Sequence, residues 1–348
     1  MPWDVIKLND GTSIPNIAFG TWTLGNGQQS TDKVDQAISV GFNHIDTAQS
    51  YRNEYEAGIA IKESGLDRND LYITTKYSGL NGLDIETSIN NSLNNLGVKY
   101  VDLYLIHHPR LAQPDIPTAW KQMEKVKADG LAKSIGVSNF QIADLEILLA
   151  SAKVKPAANQ ILLHPYVVGR QTPLIQYAFD NNIAIEAYSV LIPLTHQPGG
   201  PVDGPVKDIA TRLDVKPEQV LLAWAKAKGV IVVTSSSKKE RLEGYLAAGD
   251  IGIFLHLLAH SQNLQDVPDL TPEDVNNIDN AGAIGARRMT ARTVIRRAAI
   301  AALIVAVIFG ICSYMGFLPS MFLLHISQSN ALIATVVFFI LLALKLYF

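Results

Sequence analysis

The sequence predicts an α/β protein: a closed (β/α)8 barrel, the TIM-barrel class, followed by an apolar helical tail. Short runs rich in β-branched or aromatic residues recur eight times, at residues 16–21, 42–46, 71–76, 101–107, 134–138, 157–161, 183–188 and 230–234. Stretches with helical spacing separate them, at 31–40, 85–96, 117–129, 141–150, 173–181 and 217–228. Eight such units in about 230 residues match the size and rhythm of a barrel. Beyond residue 297 the chain changes into two long apolar runs.

An open doubly wound sheet is the competing arrangement, and it wants a glycine fingerprint after a strand. Gly25-Asn26-Gly27 lacks the third glycine, because residue 30 is Ser, and no P-loop lysine pattern occurs. The barrel therefore occupies residues 1–250. Residues 251–268 form an insertion, read as a lid over the pocket, as a segment without function or as translated intron sequence. Residues 269–285 supply the last helix of the barrel domain. Thr271-Pro272-Glu273-Asp274 starts it, with an N-cap hydroxyl, Pro at N1 and acids in the first turn, and it is expected to close near Gly282.

Charge divides the chain in the same place. Of its 29 basic and 32 acidic residues, all the acids precede residue 280, where 23 basic residues oppose them for a formal charge of −9, and the rest carries +6. So acidic a front domain has no basic footprint for nucleic acid. Residues 286–297 form a basic linker holding Arg287, Arg288, Arg292, Arg296 and Arg297, suited to a phosphate-rich surface. The run 298–318 has no charge, and 331–348 has one, Lys345. Each is long enough to cross, or nearly cross, a hydrocarbon core of ~30 Å. The first is expected to span a lipid bilayer, and the second either spans it or lies in its interface. The arginines place the front domain in the cytosol on an intracellular membrane, such as that of the endoplasmic reticulum. Asp4, Lys7 and Asp10 interrupt any apolar leader, so no secretory signal peptide is expected. Cys312 is the single cysteine, which excludes an intramolecular disulfide and a cysteine zinc site.

Barrel chemistry gathers where strands end. The runs end in Thr21, Asp46, Lys76, His107, Ser138 with Asn139, Gln160, and Tyr188 with Ser189, and Tyr51 follows Asp46 by five residues. A tyrosine can protonate a carbonyl oxygen, but its ordinary pKa of ~10 makes it a slow acid. An ammonium beside it is expected to bring that value down, so Lys76 would tune Tyr51, Asp46 would orient Lys76, and His107 would bind the same oxygen. His107 and His108 are adjacent on a strand and point to opposite faces, so no metal site is expected.

Gly20-Thr21-Trp22, His44-Ile45-Asp46-Thr47-Ala48 with Tyr51, Thr75-Lys76, Leu105-Ile106-His107-His108-Pro109, Gly136-Val137-Ser138-Asn139-Phe140 and Asn159-Gln160 with His164-Pro165-Tyr166 resemble the aldo-keto reductases over residues 5–248. Residues 188–201 and 234–238 resemble the fungal branch of conjugated polyketone reductases. The resemblance implies NADPH-dependent reduction of a small-molecule carbonyl, with NADH the lesser cofactor. It makes Tyr51 the proton donor, Asp46 and Lys76 its tuning pair, and His107, Trp22 and His108 the substrate wall. It assigns cofactor contacts to Thr21, Asp46, Ser138, Asn139, Gln160, Tyr188, Ser189, Leu191, Ser235, Ser236 and Arg241. Two departures stand out. Ser235 occupies the place of a lysine that usually meets the 2′-phosphate, which leaves that contact to Arg241, and His108 stands where many relatives have Trp. A non-enzymatic alternative is a barrel kept as a cofactor-sensing or scaffold subunit of a membrane protein. The presence of Tyr51, Lys76 and His107 favours the enzyme.

Overall fold

The computed structural model describes residues 3–253 and 269–314, without the side chains of 253, 289–298, 305–306 and 308–314. The chain divides into two compact units, one ending at Ala283 and one beginning at Ile284.

The first unit opens with an antiparallel hairpin, β1 (Val5–Lys7) and β2 (Ser13–Pro15). Eight parallel strands follow: β3 (Ile17–Gly20), β4 (His44–Asp46), β5 (Tyr72–Tyr77), β6 (Val101–Ile106), β7 (Ala132–Ser138), β8 (Ala158–Leu162), β9 (Ala184–Tyr188) and β10 (Ile231–Thr234). β10 pairs with both β9 and β3, so the barrel closes and has no free edge. The hairpin contributes Leu8 and Ile14 to a buried cluster with Tyr72, Leu103, Ala158 and Ile231. Three of these open their strands, so the hairpin plugs the N-terminal end of the barrel and leaves the C-terminal end as its mouth.

The surrounding helices are α1 (Gln28–Ser39), α2 (Glu54–Glu63), α3 (Ile85–Leu96), α4 (Ile116–Ala128), α5 (Ile142–Leu149), α6 (Pro165–Asp180), the single turn α7 (Ile192–Thr195), α8 (Asp203–Leu213), α9 (Pro217–Ala227), α10 (Lys239–Ala247) and α11 (Pro272–Tyr314). Asp84 and Asp115 cap α3 and α4 through backbone N–H groups of Thr87 and Thr118. Gly58 lets α2 approach α3, since a Cβ there would lie 2.5 Å from the Asn95 carbonyl oxygen. The helix expected at 173–181 starts eight residues earlier, because Pro165 and not Pro173 occupies the first turn.

Two features lie at the end of the barrel unit. β11 (Gly252–Ile253) pairs in parallel with β12 (Asp269–Leu270), so the chain leaves and re-enters the fold at adjacent points around the expected insertion. Residues 254–268 lie outside those described. Thr271 and Asp274 cap α11 reciprocally, the Asp274 backbone N–H donating to Thr271 Oγ1 at 3.1 Å and the Thr271 N–H to Asp274 Oδ2 at 2.8 Å. The expected close near Gly282 is corrected. α11 continues to Tyr314 through the stretch read as a linker, since no proline follows Pro272 within it and alanine recurs throughout. Among the described residues, no helix is long and apolar enough to cross a membrane. The run 331–348 lies outside them.

Candidate active site

Side chains on a strand alternate between faces, so residues two apart share one. On β4 and β5 that rule pairs His44 with Asp46 and Thr74 with Lys76, and the register sets Asp46 opposite Thr74. His44 Nε2 lies 2.9 Å from Thr74 Oγ1, and Lys76 Nζ donates to Asp46 Oδ1 at 2.6 Å. Across the barrel, Gln160 on β8 and Glu186 on β9 are register partners. Gln160 Nε2 donates to Asp46 Oδ2 at 2.8 Å and lies 3.4 Å from Glu186 Oε2. Four strands thus build one buried polar layer.

Lys76 is the hub of that layer. Its ammonium, 0% exposed, also donates to the Thr47 carbonyl at 2.9 Å and reaches Tyr51 Oη at 3.5 Å. Burial works against the charged lysine, but Asp46 and then Tyr51 outweigh it, so Lys76 stays an ammonium with its pKa raised. Tyr51 ends a single 3-10 turn, Gln49–Tyr51, that the chain makes directly after β4, and left-handed Arg52 (φ 58°) closes it. Here the structure corrects an expectation. Burial raises the Tyr51 pKa by more than Lys76 lowers it, so the phenol keeps its proton more firmly than free tyrosine.

His107 follows β6 and stands edge-on to Tyr51, ring centroids 5.5 Å apart and planes at 76°. Burial and then Lys76 push its pKa down to about 3, which makes it a neutral imidazole. Its Nδ1 lies 2.9 Å from Ser78 Oγ and 3.4 Å from Ser50 Oγ. Its carbonyl accepts from Asn139 Nδ2 at 3.1 Å. Asn139, in the left-handed region at φ 64°, also accepts the Tyr188 hydroxyl at 2.8 Å, and Ser138 Oγ donates to the Gln160 carbonyl at 2.9 Å. One hydroxyl, two side-chain amides and a phenol ring therefore meet beside the Tyr51 group.

This layer and the residues at its mouth lie inside the segment 16–253 that matches the sequence model of the Aldo/keto reductase family. The chain belongs to that family. It is 39% identical over 244 residues to the NAD/NADP-dependent indole-3-acetaldehyde reductase of Schizosaccharomyces pombe, covering 67% of this chain and 85% of that one. It is 37% identical to the glyoxal reductase of Bacillus subtilis, covering 69% and 84%. Among solved structures, an aldo-keto reductase complexed with NADPH matches with a TM-score of 0.70 at 29% identity, over 80% of this chain and 88% of that one.

In this aldo/keto reductase, eight of the expected site residues form one hydrogen-bonded group: Asp46, Tyr51, Lys76, His107, Ser138, Asn139, Gln160 and Tyr188. Thr21 meets it only through the backbone, its N–H donating to the Asp46 carbonyl at 2.9 Å. Fully buried, its hydroxyl sits 2.9 Å from Thr47 Oγ1 and 3.0 Å from Asn53 Oδ1, inside the scaffold that holds the loop after β3. Leu191 is buried, with its carbonyl accepting from Thr195 Oγ1. Trp22 is 60% exposed, and His108 Nδ1 accepts the Arg110 backbone N–H. Ser189 holds φ 63° directly after β9. Ser236 Oγ accepts the Lys238 N–H, Ser235 is half-buried, and Arg241 is exposed. Ser50, Ser78 and Glu186 escaped the sequence reading. For Glu186 a signal existed, an acid inside an otherwise apolar strand.

Proposed function

We propose that this chain is an NADPH-dependent reductase of aldehydes or ketones, with Tyr51 as proton donor. The observation that carries the reading is the ammonium of Lys76 bridging Asp46 and the Tyr51 hydroxyl inside the barrel mouth. The residues present fit the cofactor. Ser138, Asn139 and Gln160 offer a hydroxyl and two amides to a carboxamide, and the ring of Tyr188 stands beside them. Exposed Arg241, with Lys238 and Lys239 nearby, suits the extra phosphate that separates NADPH from NADH. When bound, NADPH supplies the hydride that reaches the carbonyl carbon.

The chain's own groups handle the oxygen. His107, neutral, donates a hydrogen bond to it and sets the carbonyl's position. Tyr51 Oη gives up its proton to the same oxygen as negative charge builds there. Lys76 stabilises the resulting phenolate, and Asp46 and the Thr47 carbonyl hold Lys76 in place. The same groups run in reverse for alcohol oxidation. Resemblance to conjugated polyketone reductases, together with relatives named glyoxal reductase and methylglyoxal reductase, makes dicarbonyls and ketolactones the first substrates to try. Tyr51→Phe is expected to abolish NADPH-dependent reduction while cofactor binding persists. General acid catalysis contributes ~10²–10⁴-fold, so a variant keeping a tenth of wild-type kcat/KM refutes the assignment.

The reading includes a location: an intracellular membrane, with the barrel facing the cytosol. Its support is the sequence, a charge-free run at 298–318 preceded by five arginines and followed by a second apolar run. Full-length protein is expected to stay with membranes through alkaline carbonate and high salt, and its release would refute the anchor.

A further inference from the structure

A neutral imidazole carries one proton, and the nitrogen that holds it decides whether the other ring atom donates or accepts. A carbonyl oxygen only accepts. His107 can therefore bind it only as the Nε2–H tautomer, with Nδ1 as an acceptor. In this chain both side-chain hydroxyl contacts fall on Nδ1, from Ser78 at 2.9 Å and Ser50 at 3.4 Å. Among the described residues no hydrogen bond engages Nε2. The two serines are also tied to each other. The Ser78 hydroxyl is placed to donate to Ser50 Oγ at 3.1 Å, and the Ser50 backbone N–H donates to Ser78 Oγ at 3.3 Å. That amide occupies a lone pair of Ser78 Oγ, and the one Ser78 hydrogen has two acceptors within reach, Ser50 Oγ at 3.1 Å and, nearer, the imidazole nitrogen at 2.9 Å. The Ser78 backbone is held in turn by Gln49 Oε1 at 3.3 Å, so the 3-10 turn that carries Ser50 and Tyr51 also fixes Ser78.

We propose that Ser78, assisted by Ser50, is a positioning residue that donates to His107 Nδ1, fixes the Nε2–H tautomer and so aims a donor at the substrate oxygen. The proposal rests on the reductase reading of the Tyr51 site. It links three loops, after β4, β5 and β6, into one device: the turn that carries the proton donor also sets the protonation site of the substrate-binding ring.

The test uses the full chain in mild detergent with histidine labelled in nitrogen-15. In the wild type, the His107 spectrum is expected to show a protonated Nε2 and a hydrogen-bonded, unprotonated Nδ1. Ser78→Ala should move the Nδ1 resonance and raise the Nδ1–H fraction, more so with Ser50→Ala added. It should also lower kcat about tenfold, the rate equivalent of one ordinary hydrogen bond, with little change in KM. Ser78→Thr restores the hydroxyl and should restore both readouts. A protonated Nδ1 in the wild type overturns the proposal. So does a Ser78→Ala variant that leaves the nitrogen resonances or kcat unmoved, or one that only loses thermal stability. Tyr51→Phe assayed alongside separates the two claims. If it stays active, the reductase reading fails. If it is dead while Ser78→Ala matches wild type, the serine assignment alone fails.

Discussion

Lys76→Met asks the most of the buried layer, because three interactions leave with one ammonium. The Asp46 side chain is 3% exposed, and its carboxylate is held by Lys76 Nζ at 2.6 Å and Gln160 Nε2 at 2.8 Å. Without Lys76 it keeps only the amide, and removing one partner of a buried ion pair costs about 3–5 kcal/mol, since the other charge is left uncompensated. For a domain of this size that corresponds to a Tm lowered by roughly 6–20 °C. Adding Asp46→Asn removes the stranded charge, so the double variant should be at least as stable as either single one. What remains is the orphaned Thr47 carbonyl, worth about 1–3 kcal/mol. Activity should not recover with stability. Burial already raises the Tyr51 pKa, and loss of the ammonium removes the main group opposing that rise. Both variants should lose about 10²–10⁴ in kcat. Urea and thermal unfolding of wild type, both singles and the double measure the cycle. A double variant that loses the sum of the two single losses would show that the charges do not act as a pair.

Three further outcomes are expected. Burial and then the Asp46 charge push Glu186 up to about 8 from an ordinary 4.5, so between those pH values the folded chain keeps a proton the unfolded chain has lost, and stability falls as pH rises through that window. Glu186→Gln should flatten the slope there, and an unchanged slope refutes the burial argument. Because His107 is already neutral above about 3, kcat/KM should show no limb near pH 6.5, the ordinary histidine value, and a limb there that disappears in His107→Gln would show a charged ring. Arg241→Ala should raise the Kd for NADPH by about 10–100-fold with little change for NADH, whereas equal losses would make Arg241 structural.

The barrel was legible because its strands are buried on both faces and read as short continuous β-branched runs. What escaped were elements whose sequences argue against themselves. α2 buries Glu54, whose carboxylate accepts Thr75 Oγ1 at 2.6 Å, and sets Gly58 against α3, so a polar core position and a glycine hide its helical pattern. α8 contains Gly204 and Pro205 and reads as loop. The hairpin strands are three residues long, too short for period-two alternation to register. The site shows the same division. Asp46, Lys76, His107 and Gln160 are unusual residues to find closing apolar strands, so their positions give them away. Ser50 and Ser78 are ordinary hydroxyls on turns, and their significance appears only when the fold brings two loops within 3.4 Å of one imidazole nitrogen on a third. The Tyr51 pKa direction was misread because charge proximity is visible in a motif and desolvation is not.

That direction bears on how the site would work with Tyr51 as the proposed proton donor. The polar layer holds one anion, Asp46, and one cation, Lys76. Burial keeps the other titratable groups neutral, lowering His44 and His107 to about 3 and raising Glu186 to about 8. Lys76 is thus balanced in the resting state, and Tyr51 retains its proton with no nearby base strong enough to take it. A phenol in that state is a poor acid toward water and toward an uncharged carbonyl. It becomes a competent one when negative charge grows on an oxygen held against it. The phenolate left behind then meets an ammonium already aimed at it by Asp46 and the Thr47 carbonyl, with no dipoles to reorganise. A raised Tyr51 pKa and a fixed Lys76 are therefore parts of one arrangement. In the proposed role of Tyr51 as proton donor, burial would withhold the proton in the ground state, and the ion pair would lower the cost of releasing it as the transition state forms.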